Sequence, residues 1–232
     1  MIGILGGMGT QAGLDFCNKL AKLNRGKLDQ QYPMFILYNK SNTPKRPENL
    51  KKYYNVLKAL VDGCKMLQKN KCKFIVMPCN TAHYWHKDLQ KKVKIPLLSM
   101  PKEVYLHAKK TCKKNSTIGI LCTEATLKTK IYHNYFDKNF NLISPGKTLQ
   151  KNSVNIAIKF VKMGKVKEAE KILRPAVKYL IKKNCKKIIL GCTELPIAIF
   201  AYKSFKKAKD SKLFVDPNLL LAQVCMRKYK NY

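Results

Sequence analysis

Two short segments carry the residue types best suited to chemistry: Met77-Pro78-Cys79-Asn80-Thr81-Ala82-His83 and Leu190-Gly191-Cys192-Thr193-Glu194. Each places a cysteine directly after an apolar run and directly before small polar residues that favour helix caps, Asn80 or Thr81 in the first and Thr193 in the second. An ordinary thiol has a pKa of roughly 8.5, and at a helix N-terminus it is expected to fall by about a unit or more. The same N-terminus offers free N–H groups to a carboxylate. Two such thiols on opposite sides of one cleft would suit the transfer of a proton from one face of a carbon atom to the other.

The elements that must position these thiols are written twice. Ile2-Gly3-Ile4-Leu5 returns as Ile118-Gly119-Ile120-Leu121, and the two cysteine segments occupy matching places in the two copies. Strands are expected at 2–5, 34–38, 74–77 and 97–99, and again at 117–121, 140–143, 188–190 and 213–215. Such near-continuous apolar strands belong to parallel sheets covered on both faces. Helical spacing is clear in Tyr53, Val56, Leu57, Leu60, Val61, Cys64 and Leu67, and in Ala169, Ile172, Leu173, Ala176, Val177, Leu180 and Ile181. The pattern predicts an α/β chain of two pseudosymmetric Rossmann-like domains, each with a four-stranded mainly parallel sheet flanked by helices. Residues 1–113 form the first, with Cys79, and residues 114–216 the second, with Cys192. Residues 217–232 are expected to pack back on the first as a helix.

Other segments offer supporting chemistry. Gly6-Gly7-Met8-Gly9-Thr10 follows the first strand and has the glycine content of a phosphate-binding loop. It lacks the full GxGxxG spacing, and Tyr38-Asn39-Lys40 stands where the second strand of a nucleotide fold would end in an acid. Pro145-Gly146-Lys147-Thr148 resembles the end of a Walker A loop, but Asn141 replaces its first glycine. The glycines of the first loop are better read as backbone that passes close to a substrate between the two cysteines. Arg46, on the loop after the second strand, has the fork geometry to grip a carboxylate with two parallel hydrogen bonds. Lys162 and Lys165 flank Met163-Gly164 in the matching region of the second copy. His83 lies four residues after Cys79, as a metal ligand, a proton partner of the thiol, or a hydrogen-bonded helix residue. His86, His107 and His133 complete no metal-binding spacing with it, so no metal site is expected.

Composition narrows the classes. The 232 residues are 46% hydrophobic, enough for packed cores. Nine cysteines without a CxxC pair argue for free thiols in a reducing cytosol. No apolar run approaches the ~18 residues of a membrane span, and no basic leader precedes the first strand, so a cytoplasmic protein without membrane association is expected. Lys and Arg total 47 against 13 acids, for a net charge of +34. The lysines are dispersed in pairs such as Lys51-Lys52, Lys91-Lys92 and Lys182-Lys183, which favours solvated helix faces over a nucleic-acid surface. Their field would gather acidic small molecules, and salt would screen it.

Taken together, Ile4-Leu5-Gly6-Gly7-Met8-Gly9, Pro78-Cys79-Asn80-Thr81-Ala82-His83 and Leu190-Gly191-Cys192-Thr193-Glu194-Leu195 resemble the signatures of the aspartate/glutamate racemase family. The resemblance spans essentially the whole chain, and its two cysteine motifs are the specific part. It implies racemisation of an acidic amino acid without pyridoxal phosphate or any other cofactor, with Cys79 and Cys192 as the catalytic pair. It also implies a homodimer with the site between domains. Met8, Thr10, Asn80, Thr81, Ala82, Thr193 and Glu194 would line the amino-acid pocket, and Arg46 with Lys162 or Lys165 would bind carboxylate. Glu194 resembles the aspartate branch, since the glutamate branch usually has histidine there. The family usually has Pro-Asp-Arg where this chain has Pro44-Lys45-Arg46, an added positive charge that bears on side-chain preference. Two alternatives share the scaffold: an isomerase or decarboxylase of another small carboxylic acid, and a non-catalytic basic binding protein.

Overall fold

The opening apolar run folds as β1 (Ile2–Gly6), the middle strand of a parallel sheet whose neighbours are β2 (Phe35–Asn39) and β3 (Phe74–Val76). A computed structural model describes residues 1–24, 28–46, 52–136, 139–201 and 212–231. Every residue of β1 is buried because helices cover both faces of this sheet. On one face, helix Tyr53–Lys69 sets Val56, Leu60, Cys64 and Leu67 against Leu5, Ile75 and Met77. On the other, helices Thr10–Leu23 and Pro217–Tyr229 bring Phe16, Leu20, Leu221, Ala222 and Cys225 against Ile2, Ile4, Phe74 and Val76. The period of two along the strands and the helical spacing of the covering residues are thus the same division of the core seen from two sides. Asn218 ties the C-terminal helix down, its side-chain amide donating to the Ala12 carbonyl at 3.3 Å.

The expected fourth strand at 97–99 is reduced to a single bridge, Ile75 to Leu97, so the first sheet has three strands among the described residues. The bridge is held by Ile75 N–H donating to the Pro96 carbonyl at 2.8 Å and Leu98 N–H donating to the Ile75 carbonyl at 2.9 Å, while side chains satisfy the outward-facing groups of Leu97. Its N–H donates to Gln90 Oε1 at 2.7 Å, and its carbonyl lies 2.9 Å from His86 Nε2. Helix Met100–Thr111 then begins, with Pro101 in its first turn, and ends any extension of the strand.

The second copy repeats the order. β4 (Thr117–Cys122) lies between β5 (Asn141–Ile143) and β6 (Lys187–Gly191), with β7 (Phe214–Val215) outside β6, all parallel. β7 occupies the place that Leu97 takes beside β3. Helix Val166–Lys182 contributes Ala169, Leu173, Ala176, Val177 and Leu180 to a core shared with Ile188, Leu190, Val154 and Ile158. Elsewhere in this unit Tyr105 packs edge-on against Phe136 and Phe140.

By packing, the chain divides into Met1–Glu103 with Asn218–Tyr232, and Val104–Pro217. The division falls inside helix Met100–Thr111, and the polar residues 113–116 form the turn that leads into β4. Among the described residues no helix is long and apolar enough to cross a membrane.

Candidate active site

In the first unit the chain leaves β3 and turns sharply, the Cys79 N–H bonding the Met77 carbonyl at 2.8 Å. Cys79 keeps 6% of its surface, whereas Cys64 and Cys225 keep none. Asn80, Thr81 and Ala82 follow it, all buried. The segment after Cys79 is a 3-10 turn, Thr81–Trp85, and Asn80 makes no side-chain capping bond to it. The expected α-helix N-terminus is therefore absent here. The backbone is instead pinned by His83.

His83 Nε2 accepts the Met100 N–H at 3.1 Å, so Nδ1 carries the proton and donates to the Cys79 carbonyl at 2.9 Å. Burial, and secondarily the stacked His86 ring, push the His83 pKa down to about 4. A neutral imidazole of fixed tautomer thus straps the cysteine loop to the start of helix Met100–Thr111. Of the three roles open to His83 in the sequence, the geometry selects the hydrogen-bonded residue. Removing the ring by His83→Ala should leave a buried carbonyl and a buried N–H unpaired, at about 1–3 kcal/mol each, read as a lower urea midpoint. The unfolded chain binds a proton below about pH 6.5, and the folded one resists until about pH 4. Stability conferred by the neutral ring is therefore full above pH 6.5 and lost as pH falls towards 4. The fall in urea midpoint between pH 7 and 5 should be smaller in His83→Gln than in the natural protein.

The glycine loop after β1 serves the same end of this sheet. Gly7 has φ +83°, and a Cβ there would lie 2.3 Å from the Lys40 carbonyl carbon, so only glycine lets the loop press on the end of β2. Arg46 folds over this loop: Nη2 donates to the Met8 carbonyl at 2.6 Å, and Nη1 donates to Pro44 and Thr43 carbonyls at 3.1 and 3.4 Å. Its buried Nε has no hydrogen-bond partner among the described residues. Arg46 and the Met8 backbone are thereby brought together. Thr10 is exposed, and its hydroxyl accepts from Asn39 Nδ2 at 3.2 Å.

In the second unit β6 delivers Cys192, 7% exposed, followed by buried Thr193 and Glu194. Glu194 organises this site. Its Oε2 accepts from the Cys192 Sγ at 3.0 Å and from the Thr193 hydroxyl at 3.3 Å, while Oε1 lies 3.7 Å from Lys162 Nζ. Burial, then the Glu194 carboxylate, hold the Cys192 thiol well above the ordinary thiol range. This overturns the lowered pKa expected of a helix N-terminus. The helix that follows, Leu195–Ala201, is short, and Thr193 spends its hydroxyl on Glu194 rather than on a cap. Lys162, one of the two candidate lysines, joins this cluster. Lys165 is exposed, and its backbone N–H closes the preceding helix by bonding the Phe160 carbonyl at 2.9 Å.

One residue near this end of the second sheet escaped the sequence reading. Gln150 opens a π-helical segment, Gln150–Asn155, and its buried amide donates to the Cys122 carbonyl at the end of β4, at 2.9 Å. Asn155 accepts from the same amide at 2.8 Å and donates to Glu124 at 2.7 Å. Nothing in the local sequence marks a π turn, which arises where one extra residue is accommodated in a helix.

Each of the two α/β units, built on its own parallel sheet, sets a buried cysteine and polar residues at the end of its third strand. The family model Asp/Glu/Hydantoin racemase matches residues 5–225, and the chain belongs to that family. A broad specificity amino-acid racemase, RacX, of Bacillus subtilis is 29% identical over 199 residues, covering 84% of this chain and 86% of that protein. The solved aspartate racemase of Picrophilus torridus superposes with a TM-score of 0.83 at 28% identity, over 99% of this chain and 94% of that one. Glutamate racemase of Thermus thermophilus shares the fold at a TM-score of 0.67 and 21% identity, over 99% of this chain and 80% of that one.

Proposed function

We propose that this protein racemises an acidic amino acid, aspartate in the first instance, by a two-base transfer at the α-carbon in which Cys79 and Cys192 serve opposite faces. The observation that carries the reading is the repeated placement of a nearly buried thiol at the end of the third strand of both units. Family membership and the aspartate racemase likeness support it. The hydrogen bond from Cys192 to Glu194 supports a protonated resting state for this thiol in the present reading. In this reading Cys192 begins as the acid and Cys79 removes the α-proton, and the roles exchange in the reverse direction. The α-proton is weakly acidic, and neither thiol delocalises the carbanion. Fixed donors must therefore stabilise the developing charge. Asn80, Thr81, Thr193, Arg46 and Lys162 are the residues this reading assigns to substrate. Arg46 already holds three loop carbonyls with its two terminal nitrogens, so a substrate carboxylate would have to share or displace these bonds. The positive charge of the chain favours dianionic substrates at low salt.

The test is incubation with L-aspartate and L-glutamate separately, followed by chiral chromatography. The D-form of aspartate should accumulate until both enantiomers are equal, because their free energies are equal in achiral solvent. Absence of the D-form from both incubations, at protein concentrations approaching those of substrate, would overturn the reading.

A further inference from the structure

At the opposite end of the second sheet from Cys192, the starts of β4, β6 and β7 meet the end of helix Met100–Thr111 around a pocket of about 450 Å³. Its lining includes Lys113, Lys186, Lys187 and Lys212, with the hydroxyls of Thr111 and Ser116. None of the described residues lining it is acidic. Lys187 donates its ammonium to the Lys212 carbonyl, which fastens the start of β6 to the start of β7 and fixes one charge in place. The positive field there is felt by a neighbour: after burial, Lys187 and Lys110 hold the His107 imidazole below its ordinary pKa.

A helix C-terminus attracts cations, and the end of Met100–Thr111 supplies part of the reason for lysines here. That end carries only about half a negative charge, far less than four ammonium groups. The excess positive charge lies in a concavity whose size falls within the roughly 300–1,000 Å³ of small-molecule sites. Lysine ammonium groups bind phosphate as point charges, and the Ser116 hydroxyl can donate to the same oxygens, whereas that of Thr111 already donates to the His107 carbonyl. A single carboxylate can engage only part of this cluster, whereas a chain of phosphates brings enough charge to engage several lysines at once.

We propose that this pocket binds oligophosphates, the chemistry shared by inorganic tripolyphosphate and the phosphate chain of nucleotides, at a site separate from Cys192. The five residues of β6 separate the two ends by about 15 Å.

The competing account is the bulk field of a chain at +34, which would attract any polyanion to any face. Two triple variants of equal charge separate the accounts. Lys113→Gln, Lys186→Gln and Lys212→Gln together alter the pocket while sparing Lys187. Lys58→Gln, Lys65→Gln and Lys69→Gln together alter the exposed side of helix Tyr53–Lys69. Calorimetric titration with tripolyphosphate and, separately, with ATP in the absence of magnesium should give saturable binding. The dissociation constant should rise about tenfold or more in the pocket variant and less than about twofold in the control. The tighter of the two ligands identifies the source of the phosphate chain. Cys112, on the pocket wall and half-buried, supplies a second readout. Saturating ligand should slow its alkylation by iodoacetamide and leave Cys17 unaffected. Absence of saturable binding, equal weakening in the two variants, or unprotected Cys112 would each overturn the proposal.

Discussion

Replacing Cys79 or Cys192 by alanine is expected to lower kcat/KM for racemisation by at least about 10³-fold, the scale of a positioned general acid or base. The physical reason is that neither partner substitutes for the other. Inversion needs a proton removed on one face and one supplied on the other, so either deletion stops the cycle. Cys79 and Cys192 each belong to a hydrophobic cluster, and alanine removes one sulfur from each. The stability cost should be on the order of 1 kcal/mol, too little to unfold either variant. Circular dichroism and thermal melting check this. Incubation in D2O distinguishes a lost base from a lost site: a variant that keeps one working thiol should exchange the α-proton of one enantiomer without inverting it. The enantiomer that exchanges in Cys192→Ala identifies the face served by Cys79. Retention of more than about a tenth of natural turnover in either variant would refute the two-base scheme.

Glu194→Gln should lower kcat/KM about tenfold and move the alkaline limb of its pH profile to lower pH. Glu194 accepts the thiol hydrogen of Cys192 and raises its pKa by charge as well as by this bond. Glutamine keeps the shape and removes the charge. Burial, the larger cause, remains, so the thiol pKa falls without returning to its ordinary value. A thiol that must be protonated to act as the acid is then lost at lower pH. The carboxylate is also the group placed to take the thiol proton when Cys192 must act as the base, which accounts for the loss in rate. Because the two enantiomers are equally stable, kcat/KM must fall by the same factor in both directions. Measurements from pH 6.5 to 10 with each enantiomer check both points. A uniform loss with an unmoved alkaline limb would mean that Glu194 only supports the fold. Lys162, which pairs with the other carboxylate oxygen, opposes Glu194 by lowering the thiol pKa, so Lys162→Met should shift the limb in the opposite direction.

The protein's architecture was legible because its periodicities are local. The apolar run Ile2–Gly6 and the helical spacing in Tyr53–Lys69 and Val166–Lys182 each arise within one element, and the duplicated Ile-Gly-Ile-Leu marks the matching strands β1 and β4. The placement of both cysteines after their strands followed from the same patterns. The shortest element misled: Leu97 has a strand's residue type and bridges Ile75, but its outward-facing groups are taken by Gln90 and His86 and the helix Met100–Thr111 follows at once, which no local pattern encodes.

The amino-acid order therefore determined the α/β class, the repeat, the matching positions of the two thiols and the family they belong to. Tertiary structure alone decided how the polar groups around them are paired. His83 spans Cys79 and Met100, Arg46 holds the Met8 carbonyl, and Lys162 reaches Glu194, each across a sequence gap closed only by folding. The protonation of Cys192 belongs with these. A thiol followed by small polar residues promised an acidic sulfur, yet burial and a carboxylate 3.0 Å away reverse the sign. Charge preference depends on distance and solvation in three dimensions, and neither is a property of residue spacing along the chain.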